Sequence, residues 1–433
     1  MRKTDELNAL VAKYTADFPT HRPLARDGFP STAAGSTDVV LVTGTTGGLG
    51  TALLRDLVAL PSVSRIYAFN RKDKRGVSLR ERQAEALAER GLDPKILDSP
   101  KVVLVEGDTS VSDLGLSDAL FAEIRDSVTC IMHNAWRVNF MQEVSAYETL
   151  IRGVRNLVDF ALASPHSSPP RFVYTSSTAA VMNWPLATPV PEQSFPDARV
   201  ALGMGYGESK WVSERILRLA AESTALRPVV VRVGQLTYAD NGEWSGTEWI
   251  PTILRSALAM GILPSVDLPI PVLTLSSASK GLIEMMSSPY PTVHLVHPRP
   301  VKASHICQLI ADIIGLEPIP FTEWIDKLEE SVNAAQDEGE EMERNPAVVL
   351  LPLFQMFLPR LSKKGRDAIG MPLYETKLAL QVAPSLAEGR LPQTGMDDVQ
   401  RVLKHWQETG LFQGILDGRD ERTLPRFVAS PKL

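Results

Sequence analysis

Short apolar runs alternate with stretches that carry apolar residues at helical spacing, from Val39 to about residue 235. Val39 to Val42 is β-branched and ends near a glycine, the mark of a buried parallel strand. Residues 49–60, LGTALLRDLVAL, then repeat apolar positions every three or four residues and predict a helix. The same rhythm predicts strands at 65–69, 101–106, 128–132, 171–175 and 228–232, and helices at 78–90, near 115–125, at 145–163 and at 206–222. Strands separated by helices of this length imply βαβ units, hence an α/β fold with a doubly wound parallel sheet covered on both faces.

Beyond residue 235 the rhythm fades into Gly- and Pro-broken segments followed by mostly helical patterns. The expected organisation is an N-terminal helix and linker (1–36), a nucleotide-binding domain (37–240), and a smaller, largely helical substrate-binding cap (241–433) with some strands returning to the main sheet. The first 17 residues mix charged and apolar positions as an amphipathic helix does. The acidic run Asp337 to Glu343 reads as a solvated helix face or loop.

With 433 residues the chain exceeds the usual size of one domain. A composition of 44% hydrophobic and 22% charged residues is that of a globular protein. The net charge of -6 offers no basic excess for a nucleic-acid backbone. Two cysteines, Cys130 in an apolar run and Cys307, argue against a disulfide framework and for a reducing, cytoplasmic setting. No apolar stretch approaches the roughly 20 residues that cross a bilayer, so no membrane partner is expected. His294 and His297 are three apart in a strand-like segment and point to opposite faces, so no metal site is expected.

Candidate chemistry starts at VVLVTGTTGGLGTALL, where Gly44, Gly47 and Gly50 stand between a predicted strand and a predicted helix. Glycines there let the backbone turn and approach a pyrophosphate, and the free N–H groups of the helix start attract its charge. A tight turn without a ligand is the bland reading. At the end of the second strand, AFNRKDKRG puts Arg71 where a cofactor with a free ribose 2′-hydroxyl calls for an acid. Lys72, Lys74 and Arg75 follow, with Arg80 and Arg82 on the next helix; a guanidinium suits a 2′-phosphate, so NADPH is expected, with Asp73 dissenting. Asp108 and Asn134, at the ends of the third and fourth strands, are candidates for adenine and ribose contacts, although either could simply form a turn.

Tyr206 and Lys210 lie four apart in GYGESKWVSERIL, on one face of a helix. An ammonium near a phenol is expected to lower its pKa and to hold the nicotinamide ribose. The fifth strand ends in Thr175, Ser176, Ser177 and Thr178, of which Ser177 is the candidate to bind an oxyanion with Tyr206. Strand ending and helix capping would explain the same hydroxyls.

TGTTGGLG, AFNRK, EGD, MHNAWRVNF, YTSS, Y-G-E-S-K and VRVGQLT, in this order, resemble the terminal thioester reductase domains of nonribosomal peptide synthetase-like enzymes. Carboxylic acid reductases and the fungal aminoadipate reductase group share this domain, which belongs to the extended short-chain dehydrogenase/reductase superfamily. The similarity is strong over roughly residues 36–265 and looser beyond, through Trp324 and the closing MDDVQRVLKHWQETGLF. It implies an NADP-dependent oxidoreductase with a Rossmann-type sheet, in which NADPH reduces an acyl thioester on the phosphopantetheine of a carrier protein to an aldehyde, or on to an alcohol. Ser177 and Tyr206 would bind the oxyanion and Lys210 the ribose. The same motifs extend the cofactor set to Thr45, Thr46, Gly48, Leu49, Asn70, Thr109, Ala135, Val233 and Gln235.

Such domains usually follow adenylation and carrier domains, for which 433 residues leave no room; the N-terminal helix resembles the tail of a carrier linker. Trp136 replaces a small residue found in many relatives and would narrow the pocket or pack against the cap. Gly203, Gly205 and Gly207, with NGEWSGTEW at 241–249, suggest a mobile lid with aromatic walls, and packed tryptophans are the plain alternative. Other activities compatible with the residues are reduction of a free ketone or aldehyde, nucleotide-sugar epimerisation, which Arg71 disfavours, and NADPH sensing without chemistry.

Overall fold

The computed structural model describes residues 2–23, 37–334 and 337–411. The chain forms two compact units. The first comprises residues 1–236, 273–298 and 374–391; the second comprises 237–272, 299–373 and 392–433.

The first unit is built on seven parallel strands: β1 (Asp38–Thr43), β2 (Val63–Asn70), β3 (Val102–Glu106), β4 (Cys130–His133), β5 (Arg171–Ser177), β6 (Pro228–Val233) and a seventh, Thr292–Leu295. Their order is β3-β2-β1-β4-β5-β6 and then the seventh. The order reverses between β1 and β4, so a crevice opens at the carboxyl ends of these strands, where such sheets bind ligands.

Alternation along the strands explains the two-sided core. Leu41, Tyr67, Ile131, Phe172 and Tyr174 join one buried cluster. Their neighbours Val40, Val42, Ile66, Met132 and Val173 join the other. Helix α1 (Lys3–Thr15), α4 (Asp118–Ser127), α5 (Glu148–Leu162) and α6 (Gly205–Ser223) supply the first cluster with Leu7, Ile124, Leu157 and Trp211. Helix α2 (Gly48–Ala59), α3 (Leu79–Glu89) and the helix Leu275–Glu284 supply the second with Leu53, Leu87 and Leu282.

Three departures from the expected pattern have local causes. Helix α4 starts late because Leu114 and Gly115 take positive φ (56° and 66°), and Ser117 caps its first turn. Strand β5 runs two residues further, to Ser177, in register with Val233. The division near residue 240 is replaced by a discontinuous one, since Leu282, Val293, Leu295 and Leu386 complete the second face of the sheet.

Helix α1 lies on the first unit: Leu7, Val11 and Tyr14 are buried, and Lys3 reaches Glu143 at 2.6 Å and Glu208 at 3.4 Å. The second unit contains helices Trp249–Met260, Ala303–Ile314, Phe321–Ala334, Leu351–Leu361 and Met396–Glu408. Two short strand pairs join it, Ile262–Ser265 with Glu317–Pro320 and Pro269–Ile270 with Val301–Lys302. The acidic run is not uniformly solvated: Glu341 is buried and accepts a hydrogen bond from Asn345 at 3.0 Å. Cys130 and Cys307 are both buried and free. Among the described residues no helix is long and apolar enough to cross a membrane.

Candidate active site

The loop after β1 is shaped by two glycines. Gly44 has φ 76°, and a Cβ on it would stand 2.8 Å from Ala135 Cα; a Cβ on Gly50 would meet the Gly44 carbonyl oxygen at 2.0 Å. Helix α2 begins at Gly48 with no side chain capping it. A close-packed glycine cradle and an uncapped helix start together fit a dinucleotide pyrophosphate.

Behind the cradle lies a polar scaffold. Thr45 Oγ1 donates to Gln83 Oε1 (2.6 Å) and accepts from Asn70 Nδ2 (2.7 Å), and Gln83 Nε2 donates to the Thr45 carbonyl (2.9 Å). Asn70 Oδ1 also accepts from the Thr46 backbone N–H and hydroxyl, both at 3.3 Å. Thr45, Asn70 and Gln83 are buried. Thr45 and Asn70, expected to touch the cofactor, therefore hold the loop's shape from beneath.

Past β2, Arg71 is exposed, and its carbonyl accepts from Arg82 Nη2 at 3.0 Å. Arg82 Nη2 also reaches Glu106 at 2.9 Å, while its Nε is buried with no partner. Asp73 accepts the N–H groups of Arg75 and Val77, so the dissenting acid is a turn former. Asp108 likewise accepts Ser110 N–H at 2.8 Å. The N–H groups of Asn134 and Ala135 donate to Thr43 Oγ1 at 3.0 and 2.9 Å, which leaves the half-buried Asn134 side chain at the crevice. Thr109 lies against α5 at Gly153; Val233 is buried and Gln235 half-buried after β6.

Tyr206 and Lys210 occupy the first turns of α6, and both are buried. The Ser177 hydroxyl stands beside the Tyr206 phenol, close enough to act on it electrostatically, and accepts Ala179 N–H at 3.1 Å. Of the four hydroxyls at the end of β5 and just past it, that of Ser177 acts on the phenol, while Ser176 turns the other way and donates to Glu214 at 2.5 Å. Lys210 Nζ donates to the Thr175 carbonyl at 2.6 Å and stands 4.1 Å from the Trp136 ring centre and 4.7 Å from that of Tyr174. Phe140 and Tyr147 pack edge-on against Tyr206 at 5.7 and 6.3 Å.

The electrostatics differ from the sequence expectation. Burial pushes the Tyr206 phenol up to about 12, against the opposing effect of Ser177. The same cause holds Lys210 well below its usual value, with Glu214 resisting. Here desolvation outweighs the expected lowering of the phenol by the ammonium. Tyr206 is therefore a neutral O–H donor at neutral pH. His133, beside Tyr174, is neutral as well, pushed down to about 3 by burial and then by Lys210.

The lid expectation fails on packing. A Cβ on Gly205 would lie 2.3 Å from the Gln142 carbonyl oxygen, and one on Gly207 2.4 Å from that of Ala179, so both are contact points and not hinges. Trp244 packs between Tyr238 and Trp406 in the second unit, donates to Glu248 and accepts from Trp406 Nε1. Trp136 packs on Lys210, and His294 bonds the Glu375 carbonyl through Nδ1 and meets Arg232 through Nε2. Sequence reasoning missed Thr43, Gln83, Tyr174, Glu214 and Arg232; only the polarity of Thr43, Tyr174 and Arg232 within apolar strands could have marked any of them.

A family model for an NAD-binding domain, described as male sterility protein, matches residues 42–272. The chain is 40% identical over 415 residues to the adenylate-forming reductase Nps10 of Heterobasidion annosum, and 32% identical over 391 residues to a carboxylic acid reductase of Neurospora crassa. These alignments cover 95% and 86% of this chain, but 37% and 35% of the relatives. Among solved structures, the terminal R domain of the myxalamid PKS-NRPS pathway superposes with a TM-score of 0.76 at 22% identity, covering 95% of this chain and 99% of that one. A thiolation-reductase di-domain from an archaeal non-ribosomal peptide synthetase gives 0.70 at 18%, covering 95% and 82%. These two share the fold. A glycine cradle, a Tyr–Lys pair on the helix after the fifth strand, and a family match across more than half the sequence converge: the chain belongs to the NAD-binding family described as male sterility protein.

Proposed function

We propose that this chain uses NADPH to reduce a carrier-bound acyl thioester, releasing an aldehyde. The observation that carries the reading is the triad where β5 meets the head of α6: Ser177 beside the Tyr206 phenol, with Lys210 one turn along. Gly44, Gly47 and Gly50 with the start of α2 would hold the pyrophosphate, Lys210 the nicotinamide ribose, and Asn134 the face between them. Arg71, exposed beside a buried and unpartnered Arg82 Nε, supports a 2′-phosphate and so NADPH over NADH. The relatives' names, adenylate-forming and carboxylic acid reductases, support an acyl substrate. The archaeal di-domain, a thiolation domain joined to a reductase, supports a carrier protein as partner.

When bound, the reduced nicotinamide supplies hydride to the thioester carbon. Ser177 and Tyr206 orient and polarise the thioester oxygen, and Tyr206 gives its proton to that oxygen as charge develops. The hemithioacetal returns this proton to Tyr206 as the C–S bond breaks, and the departing thiolate takes a proton from water. Lys210, protonated, favours the transient phenolate. Burial of Tyr206 and Ser177 excludes water from the proton transfers at the substrate oxygen.

The test is NADPH consumption with an acyl-pantetheine thioester against a free ketone of similar shape, with thiol release measured in parallel. The expected result is one thiol per NADPH in the first hydride transfer and little turnover of the ketone. Turnover of the ketone alone would replace this reading by that of a free-carbonyl reductase.

A further inference from the structure

Next to the triad is a charged cluster that the reaction does not use directly. Glu214 sits on α6 one turn beyond Lys210 and two beyond Tyr206. Its carboxylate receives Arg232 from β6 in a forked pair, Nε to Oε1 at 3.0 Å and Nη2 to Oε2 at 2.7 Å. Both side chains are almost wholly buried, at 4% and 0% exposure. Its second partner is the Ser176 hydroxyl at 2.5 Å, from the residue preceding Ser177 at the end of β5. One carboxylate therefore ties α6, which carries Tyr206 and Lys210, to β5, which carries Ser177, and to β6 between them and the seventh strand.

We propose that Glu214 is a positioning residue: through Ser176 and Arg232 it holds the end of β5, with Ser177, against the stretch of α6 that carries Tyr206 and, one turn from Glu214, Lys210. This rests on the reductase reading above. A strand end with two adjacent serines has a choice of register toward the helix, and the Glu214–Ser176 bond removes it. Ser176 turned toward the phenol would leave the Glu214 carboxylate one donor short in a buried site.

The groups facing Lys210 can be named. From β5 come the Thr175 carbonyl and the Tyr174 ring, and from the β4 end the Trp136 ring and neutral His133. From its own helix come Tyr206 and Glu214. Glu214 is the one full negative charge in this set, and it opposes the desolvation that pushes Lys210 down. Arg232 is held off on the far side of that carboxylate, with His294 beyond it.

The experiment compares Glu214→Gln, Glu214→Asp and Ser176→Ala in the full chain, reading kcat, nicotinamide-nucleotide affinity by fluorescence, the pH profile and Tm. Glu214→Gln removes the counter-charge, so the alkaline limb should move to lower pH by about one unit, with kcat at neutral pH down about tenfold. Glu214→Asp should retain the limb. Ser176→Ala keeps the ion pair, and should lower kcat several-fold and Tm by a few degrees while the limb stays where it is. A folded Glu214→Gln variant with the wild-type limb, or Ser176→Ala with wild-type kcat, overturns the proposal. Should Glu214→Gln not fold, the other two variants decide. Tyr206→Phe in the same assay separates failures: if it turns over normally, the reductase reading falls and not this inference alone.

Discussion

Burial acts on Tyr206 and Lys210 in opposite electrical directions and to the same end, favouring the uncharged form of each. The phenol, near 12, keeps its proton throughout the working range, while Lys210 gives up its proton below its ordinary value. A group with a lowered folded pKa of this kind is protonated below that value and deprotonates as pH rises through it. Activity should therefore fall on an alkaline limb set by Lys210, lying below 10.5, and Lys210→Met should abolish the limb along with most turnover. Ser177→Ala should cost about 10²-fold in kcat, the scale of one lost oxyanion donor, with nucleotide binding preserved. The Tyr–Lys spacing and the hydroxyl cluster were legible in the sequence because they are local. Which hydroxyl faces the phenol was expected but not determined by spacing; it is decided by Glu214, 38 residues from Ser176. The direction of the phenol's shift was also hidden, since it depends on burial supplied by Phe140, Tyr147 and the packing of α6.

Elements were read well wherever period and length agreed. All six strands of the first half were visible as apolar runs, because a parallel sheet buried on both faces leaves few polar positions. The seventh strand was expected only as one of several returning strands, lying far along the chain among Gly- and Pro-broken segments. The scaffold beneath the glycine loop was not visible, as it joins Thr45, Asn70 and Gln83 from three elements. Glycines at element starts carry testable weight. Gly50→Ala drives a methyl into the Gly44 carbonyl and should reduce nucleotide affinity by at least tenfold, measured by fluorescence titration. Gly207→Ala meets the Ala179 carbonyl at 2.4 Å, so it should shift α6 against the Ser177 turn and lower kcat more than Tm.

At the scale of the molecule, the first unit contains the nucleotide cradle, the triad and helix α1. Leu7 on α1 is fully buried, so Leu7→Ala should destabilise by about 2–5 kcal/mol in denaturant unfolding. The patterns of segments such as WIPTILRSALAMGILP predicted the helical character of the second unit, but chain order did not reveal where residues return to the first. Cofactor choice is tested at Arg71: Arg71→Ala should weaken NADPH and leave NADH unchanged, and an equal loss for both would remove the 2′-phosphate assignment. The most direct measurement of the central claim is thioester turnover by Tyr206→Phe, with aldehyde trapped and nucleotide binding checked on the same sample. The account predicts a loss of at least about 10²-fold in kcat with binding retained. Wild-type aldehyde formation without the phenol would contradict it.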